Sequence, residues 1–258
     1  MDVHDTASVL EPSPGGSIPA NLPSAIPLAR TQDLLSLVRA VNEEVFLNLQ
    51  SFVCDEEIHR FKGRLSGESA RHIDRVTTKV SFENGVEHYT DIRQNGHERA
   101  GMSSLAGAWS TGEFGTLLRQ TQDLLRTQPV LFRRNTDLDG VAATIYAVEV
   151  SEQDSPWDLQ IGLRSYRIPF RTEVWVAGAS GQMLKIERVS TSIPPPIGIS
   201  EIRWGVTLQP VSLINRTWLL PRTGDYTVLY EQTGRREWNE MTFSNYRRYG
   251  SEVALRFH

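Results

Sequence analysis

From Val130 to its C terminus the chain is written almost entirely in short runs of alternating apolar and polar residues, broken by tight turns. That rhythm constrains the fold more than any other feature. Val141–Val150, Trp157–Leu163, Thr172–Val176, Gln182–Val189, Glu201–Gln209, Tyr226–Glu231 and Val253–Phe257 each read as a strand. Only Ala177-Gly178-Ala179-Ser180-Gly181 separates the third from the fourth. Connections that short join antiparallel neighbours, because parallel ones need a long crossover. No helix alternates with these strands, which disfavours a Rossmann-type sheet.

The first half adds two helices and a hairpin. Leu34, Leu35, Val38, Val41, Val45, Phe46 and Leu49 recur at three- and four-residue steps, predicting an amphipathic helix over Thr31–Gln50 with Thr31 as N-cap. Phe52–Phe61 reads as a strand. Val76, Thr78, Val80 and Phe82 alternate up to Asn84-Gly85, and Val86–Ile92 returns as their partner. Alternation flanking Asn-Gly marks a hairpin, since both turn residues tolerate positive φ. Asn95-Gly96 offers a second tight turn. A second helix is predicted over Thr111–Thr127, with Ser110 and Glu113 as a capping box, Phe114, Leu117, Leu118, Thr121, Leu124 and Leu125 as its apolar stripe, and Pro129 as its stop. Gly101–Gly107 reads as a flexible connector.

Two apolar helix faces and nine or ten antiparallel strands need a common core. A long twisted sheet curls at this size. The expected fold class is therefore α+β: a strongly curved antiparallel sheet, an incomplete barrel, wrapped around two amphipathic helices. Residues 31–258 form one half-barrel domain, and the Pro-, Ser- and Gly-rich residues 1–30 form a disordered leader. An incompletely packed seam between helices and sheet is a ligand cavity. Its expected lining is Leu34, Val38, Val45, Leu117, Leu124, Trp175, Trp204 and Phe243.

Composition removes several functions. A net charge of −4 on 258 residues supplies no basic field for nucleic acid. A single cysteine, Cys54, rules out an internal disulfide framework and any multi-thiolate zinc site, and it reads as a small buried residue. No apolar run approaches the roughly 20 residues of a transmembrane helix. Glycine-rich phosphate loops, Gly-x-Ser-x-Gly and His-x-x-x-His are all missing, so no cofactor or helix-borne metal is expected. His88 and His97 read as surface residues. Ser103 and Ser104 have no evident partner base.

Three function classes stay open. Asp55, Glu57 and His59 would share one strand face, the geometry of a dispersed hydrolase site; the plainer reading is a solvated strand edge. Trp175, Trp204, Trp218, Trp238, Phe243, Tyr246 and Tyr249 are core and cross-strand ladders, or ligand contacts. Arg235, Arg236, Arg247 and Arg248 lie among them and suit an anionic headgroup or an acidic protein partner of a solid-cored interaction module. Arginine dominates the basic residues, 24 against three lysines, a skew that reads as compositional.

Tyr166-Arg-Ile-Pro-Phe170, Glu173-Val-Trp-Val176, Gly181–Glu187, Trp218-Leu-Leu-Pro221, Asn239-Glu-Met-Thr-Phe243 and Asn245-Tyr-Arg-Arg-Tyr249 together resemble a block found in uncharacterised envelope proteins of soil bacteria. The overall plan is similar to the half-barrel of the lipoprotein carriers LolA and LolB. The resemblance implies a LolA-like fold and a non-enzymatic binding or carrier protein of the periplasm or cell envelope. It also implies a lipid or acyl-chain ligand held between helices and sheet, and an envelope protein as partner. Because the opening residues carry neither a positive start nor an apolar core, the sequence taken literally reads as cytoplasmic, or as one whose start is trimmed or misplaced.

Overall fold

A computed structural model of the chain describes residues 35–43, 52–65, 70–213 and 216–248. Helix α1 covers 35–43. Four strands follow: β1 (Phe52–Arg64), β2 (Arg71–Glu83), β3 (Val86–Gln94) and β4 (His97–Glu98). Then come helix α2 (Thr116–Thr127), β5 (Leu131–Leu138), β6 (Val141–Val150), and the short pair β7 (Asp158–Ile161) and β8 (Arg164–Arg167). The chain continues through β9 (Phe170–Ala177), β10 (Met183–Ser190), β11 (Ile199–Leu213), β12 (Arg216–Tyr230) and β13 (Arg235–Arg248).

Eleven strands form one antiparallel sheet in the order β4-β3-β2-β1-β13-β12-β11-β10-β9-β6-β5, and β7 and β8 form a separate hairpin. The sheet is open, with β4 and β5 as its edges. Consecutive strands β4 and β5 therefore sit at opposite edges, so the connection that carries α2 crosses the sheet. Five strand steps separate β3 from β11, about 24 Å if the sheet were flat. Yet the N–H of Gly112 donates to Glu87 on β3 at 2.9 Å, while the adjacent Glu113 accepts from Trp204 Nε1 on β11 at 2.8 Å. Strands that far apart meet one short segment only if the sheet curls strongly around it. Register slips in β1, β2 and β11 are bulges of the kind that bend a sheet.

Strands β1, β2, β9 and β11–β13 each bury residues along one side. On β1 these are Phe52, Cys54, Glu56, Ile58 and Arg60; on β11 they are Ile202, Trp204, Val206 and Leu208. The inner face carries Phe114 of the helix entry against Phe243 and Tyr246 of β13, with ring centroids 6.4 and 6.2 Å apart. Helix α1 packs on α2 and on the β9–β10 turn. Arg39 Nε donates to the Leu125 carbonyl, Gln122 Nε2 to the Arg39 carbonyl, and Asn42 brackets the turn through the Gly181 carbonyl and the Met183 N–H. Among the described residues the hydrogen bonds of α1 to the sheet run through that turn, while Val38 is buried in the common core.

Both Asn-Gly hairpins are present, with Asn84, Gly85, Asn95 and Gly96 all at positive φ. Five expectations need correction. Helix α2 starts at Thr116 rather than Thr111, because Gly112 (φ 114) and Gly115 (φ −143, ψ −33) keep the approach non-helical. Ser110 and Glu113 bond to each other instead of capping; the cap comes from β3, where Glu87 accepts the N–H groups of Gly115 and Thr116 at 2.7 and 2.9 Å. Strand β1 lies between β2 and β13, so Asp55, Glu57 and His59 are not on an edge. The 101–107 stretch is pinned, with Met102 and Leu105 buried and the Ala106 carbonyl held by Arg60 Nη1 at 2.9 Å. Strand β12 starts ten residues earlier than its alternation suggests. The 1–30 leader, Leu34, Val45, Tyr249 and the 253–257 strand lie outside the described residues.

Candidate functional site

The helix-entry segment is sewn to the sheet by side chains that imitate a strand. The Ala108 N–H donates to Glu237 Oε2 at 2.8 Å, and its carbonyl accepts from Asn239 Nδ2 at 3.2 Å. Opposite it, the β7–β8 hairpin is anchored at its base by Ser155. The Ser155 hydroxyl donates to the Ile168 carbonyl at 2.6 Å and accepts the Trp157 N–H at 3.0 Å. Between these two walls and the inner face of β11 and β12 lies an open-sided cavity of about 750 Å³. That volume falls within the roughly 300–1,000 Å³ of small-molecule sites.

The floor of the cavity is apolar and aromatic: Trp157, Ile199, Trp204, Tyr226 and Val228, all buried. Trp109, Leu159, Ile161, Ile197 and Tyr230 extend it outward, and Ser103, Asp158 and Gln160 stand on the exposed rim. Trp157 sits at the centre of the aromatic cluster, 5.9 Å from Trp204 and 5.6 Å from Phe170. Burial pushes the Tyr226 phenol up, so its ring stays neutral.

Ionisable groups are buried behind this floor. Glu56, Glu87 and Glu113 converge at the start of α2, with Tyr89 donating to Glu87. Burial first, and then Glu87, push the Glu113 carboxyl up to about 7, against bonds from Ser110 and Trp204 that favour ionisation. Burial, Glu113 and Glu87 raise Glu56 well above the usual carboxylate range. Arg188 on β10 lies against Trp204 from the other side, its guanidinium 5.5 Å from that ring. Elsewhere Arg60 and Asp74 form a buried bidentate pair at 2.6 Å in each arm.

The predicted ligand residues separate. Trp204 lines the cavity. Val38, Leu117, Leu124 and Phe243 are buried in the packing between helices and sheet, outside the lining. Trp175 alternates with buried Val174 and Val176, so its ring faces outward, where Lys185 Nζ lies 4.8 Å from the ring centroid. The four arginines do not form one patch. Arg235 and Arg236 begin β13 and Arg247 and Arg248 end it, about 40 Å away along an extended strand. Arg235 and Arg236 lie over Tyr230 and Trp238, while Arg247 bonds Asp55 at 2.6 Å and Arg248 lies 5.8 Å from the Trp218 ring.

Asp55, Glu57 and His59 do share the outer face. Glu57 accepts from Arg75 Nη2 at 2.5 Å and meets His59 Nε2 at 2.7 Å, while His59 Nδ1 lies 3.3 Å from His72 Nε2. The Arg75 bond holds the Glu57 carboxyl below its ordinary range, so it is ionised and poorly matched to proton donation near neutral pH. Among the described residues no three His, Cys, Asp or Glu side chains converge on a metal-sized space. No helix among them is long and apolar enough to cross a membrane.

The cavity residues missed from sequence include Trp109, Trp157, Ile199, Tyr226, Val228 and Tyr230. The available signal was aromatic residues beside turn formers: Trp109 between Gly107 and Gly112, and Trp157 after Ser155-Pro156.

No protein-family model matches the chain, and no curated protein does. Among solved structures it is similar to a domain described as an outer membrane lipoprotein-sorting protein from Vibrio parahaemolyticus, with 11% identity, TM-score 0.41, and 85% and 94% of the two chains covered. It is also similar to a DUF1329 family protein from Desulfovibrio piger (11% identity, TM-score 0.44, 87% and 94% covered). A third is the Mycobacterium tuberculosis lipoprotein LppX (12% identity, TM-score 0.30, 83% and 95% covered). At such identities and scores these neighbours assign neither ligand nor activity, which have to come from the cavity.

Proposed function

We propose that this protein is a non-enzymatic binding or carrier protein of the bacterial envelope that holds an apolar, lipid or acyl, ligand between α2 and the curved sheet. The observation that carries this reading is the cavity floor. Trp157, Ile199, Trp204, Tyr226 and Val228 form an apolar surface beneath an opening of ligand size, in a part of the fold that could have been filled by side chains. On this reading the sheet encloses the helix pair, and the β7–β8 hairpin, with Ile161 39% exposed, is the rim over which a chain enters. The test is titration with the neutral fluorophore N-phenyl-1-naphthylamine. Wild type is expected to enhance its emission saturably. Ala108→Trp, which fills the cavity from a wall position, is expected to weaken binding at least tenfold while leaving the melting transition in place. Equal binding by the two proteins would place the fluorophore elsewhere and remove the reading.

A docking role is the second reading, favoured by edge strand β5. Its Leu131 and Phe132 are 50% and 40% exposed on a strand whose outer backbone is unpaired, which suits addition of a partner strand. Crosslinking through a photoreactive residue at Leu131, giving one defined envelope protein adduct that Phe132→Lys abolishes, would support it; crosslinks unaffected by that change would remove it.

A further inference from the structure

Arg188 has no accessible surface, yet among the described residues no carboxylate pairs with it. Its Nη1 donates to Gln120 Oε1 at 2.6 Å and its Nη2 to Thr121 Oγ1 at 3.4 Å. The guanidinium carbon stands 4.6 Å from the Phe170 ring and 5.5 Å from the Trp204 ring, and Nε meets no acceptor. Burial alone pulls the group down to about 9, so it is charged at neutral pH. Taking a guanidinium out of water without a counter-charge is expensive, and stacking on two rings returns only part of that. A packed core would be served as well by methionine or leucine at this position.

Two of Arg188's neighbours, Gln120 and Trp204, belong to the cavity wall. Gln120 is half-buried, and its amide oxygen occupies the place on Nη1 that an anionic oxygen would take. None of the lining residues is basic, and the one acidic residue among them, Asp158, is on the exposed rim. A positive charge that no carboxylate pairs among the described residues therefore stands one side chain away from an apolar cavity, behind the Gln120 amide, whose Nε2 makes only a long bond of 3.4 Å to the Pro156 carbonyl.

We propose that the cavity selects amphiphiles with a single anionic headgroup, carboxylate or phosphate. The headgroup replaces the Gln120 amide on Arg188, while the tail lies along Trp157, Tyr226 and Val228. Arg188 is in this account a specificity-determining residue, and Gln120 is its stand-in ligand when the cavity is empty. The inference rests on the reading of the cavity as an apolar binding site.

The experiment displaces bound N-phenyl-1-naphthylamine with dodecanoate, dodecyl phosphate, dodecanol, acetate and inorganic phosphate. Wild type is expected to release the probe to dodecanoate and dodecyl phosphate at concentrations at least tenfold lower than to dodecanol, with acetate and inorganic phosphate ineffective. Arg188→Met is expected to bring the anionic chains and the alcohol to parity while still binding the probe. Gln120→Glu, which places a carboxylate on Arg188 from within, is expected to do the same and to raise the melting temperature. A preference that survives Arg188→Met, or equal displacement by dodecanoate and dodecanol in wild type, would overturn the headgroup assignment and leave the apolar cavity standing. Displacement by acetate or phosphate as effective as by the chains would reduce the site to a plain anion site and overturn the amphiphile. Failure of wild type to bind the probe would overturn the cavity reading itself, and this inference with it.

Discussion

Replacing Glu113 by Gln should make the protein more stable at pH 8 and markedly less sensitive to pH between 5 and 8. Glu113 is 1% exposed, and its carboxyl rises from 4.5 to about 7, first through burial and then through Glu87. In the unfolded chain it titrates near its ordinary value. Between about pH 4.5 and 7 the folded protein therefore holds a proton that the unfolded chain has released, and stability falls as pH rises through that window. At about 1.4 kcal/mol per pH unit, the penalty above pH 7 is about 3 kcal/mol. Glu56, raised by burial and by Glu113 itself, acts in the same direction. Glu57 and Asp74, whose carboxyls are lowered, add stability that is lost only at more acid pH, outside the window. A glutamine keeps an oxygen for Trp204 Nε1 and Ser110 Oγ and never ionises. The assay is urea unfolding followed by tryptophan fluorescence at pH 5 and pH 8. With a urea dependence of about 3 kcal/mol per molar, wild type should lose about 1 M in midpoint across that range, and Glu113→Gln should lose much less. A variant with the same pH slope as wild type, or one less stable than wild type at pH 8, would refute the assignment of a strained, buried acid.

Two other substitutions probe how the cavity walls are held. Glu87→Ala removes the acceptor of the Gly112, Gly115 and Thr116 N–H groups, and at about 1 kcal/mol or more per orphaned group it should destabilise by about 3 kcal/mol. Amide exchange should accelerate at Gly115 and Thr116 before it does in β12, and uniform acceleration would contradict a local capping role. Asp74→Asn strands Arg60 and should cost about 3–5 kcal/mol, whereas the double change Arg60→Met with Asp74→Leu should recover most of that in denaturant melts. No recovery would mean that the Arg60 bond to Ala106, not the pair, carries the effect.

Much of the architecture was legible because it follows from alternation and turn chemistry. Asn84-Gly85 and Asn95-Gly96 announce their hairpins through the φ values they tolerate, and β11 shows its buried side as Ile202, Trp204, Val206 and Leu208. Strand β13 was hidden because Glu237 and Asn239 occupy its inner face, where they bond Ala108, and that breaks the apolar alternation. The start of α2 was misplaced because its cap is 28 residues upstream in sequence, on β3, and only the curl of the sheet brings Glu87 to Gly115. The cavity is still less readable. Its lining joins residues from the 107–116 segment, the β7–β8 hairpin and β11–β12, which no local period connects. Arg188 is one of 24 arginines, and nothing in a single sequence separates the one inside from those outside.

The most direct test is a crystal grown with 12-bromododecanoate, with the bromine located by its anomalous signal. The tail terminus should appear among Trp157, Tyr226 and Val228, with the carboxylate directed toward Gln120 and Arg188. A bromine found only on the outer face, or a cavity still empty at saturating ligand, would contradict a protein built to carry an apolar chain.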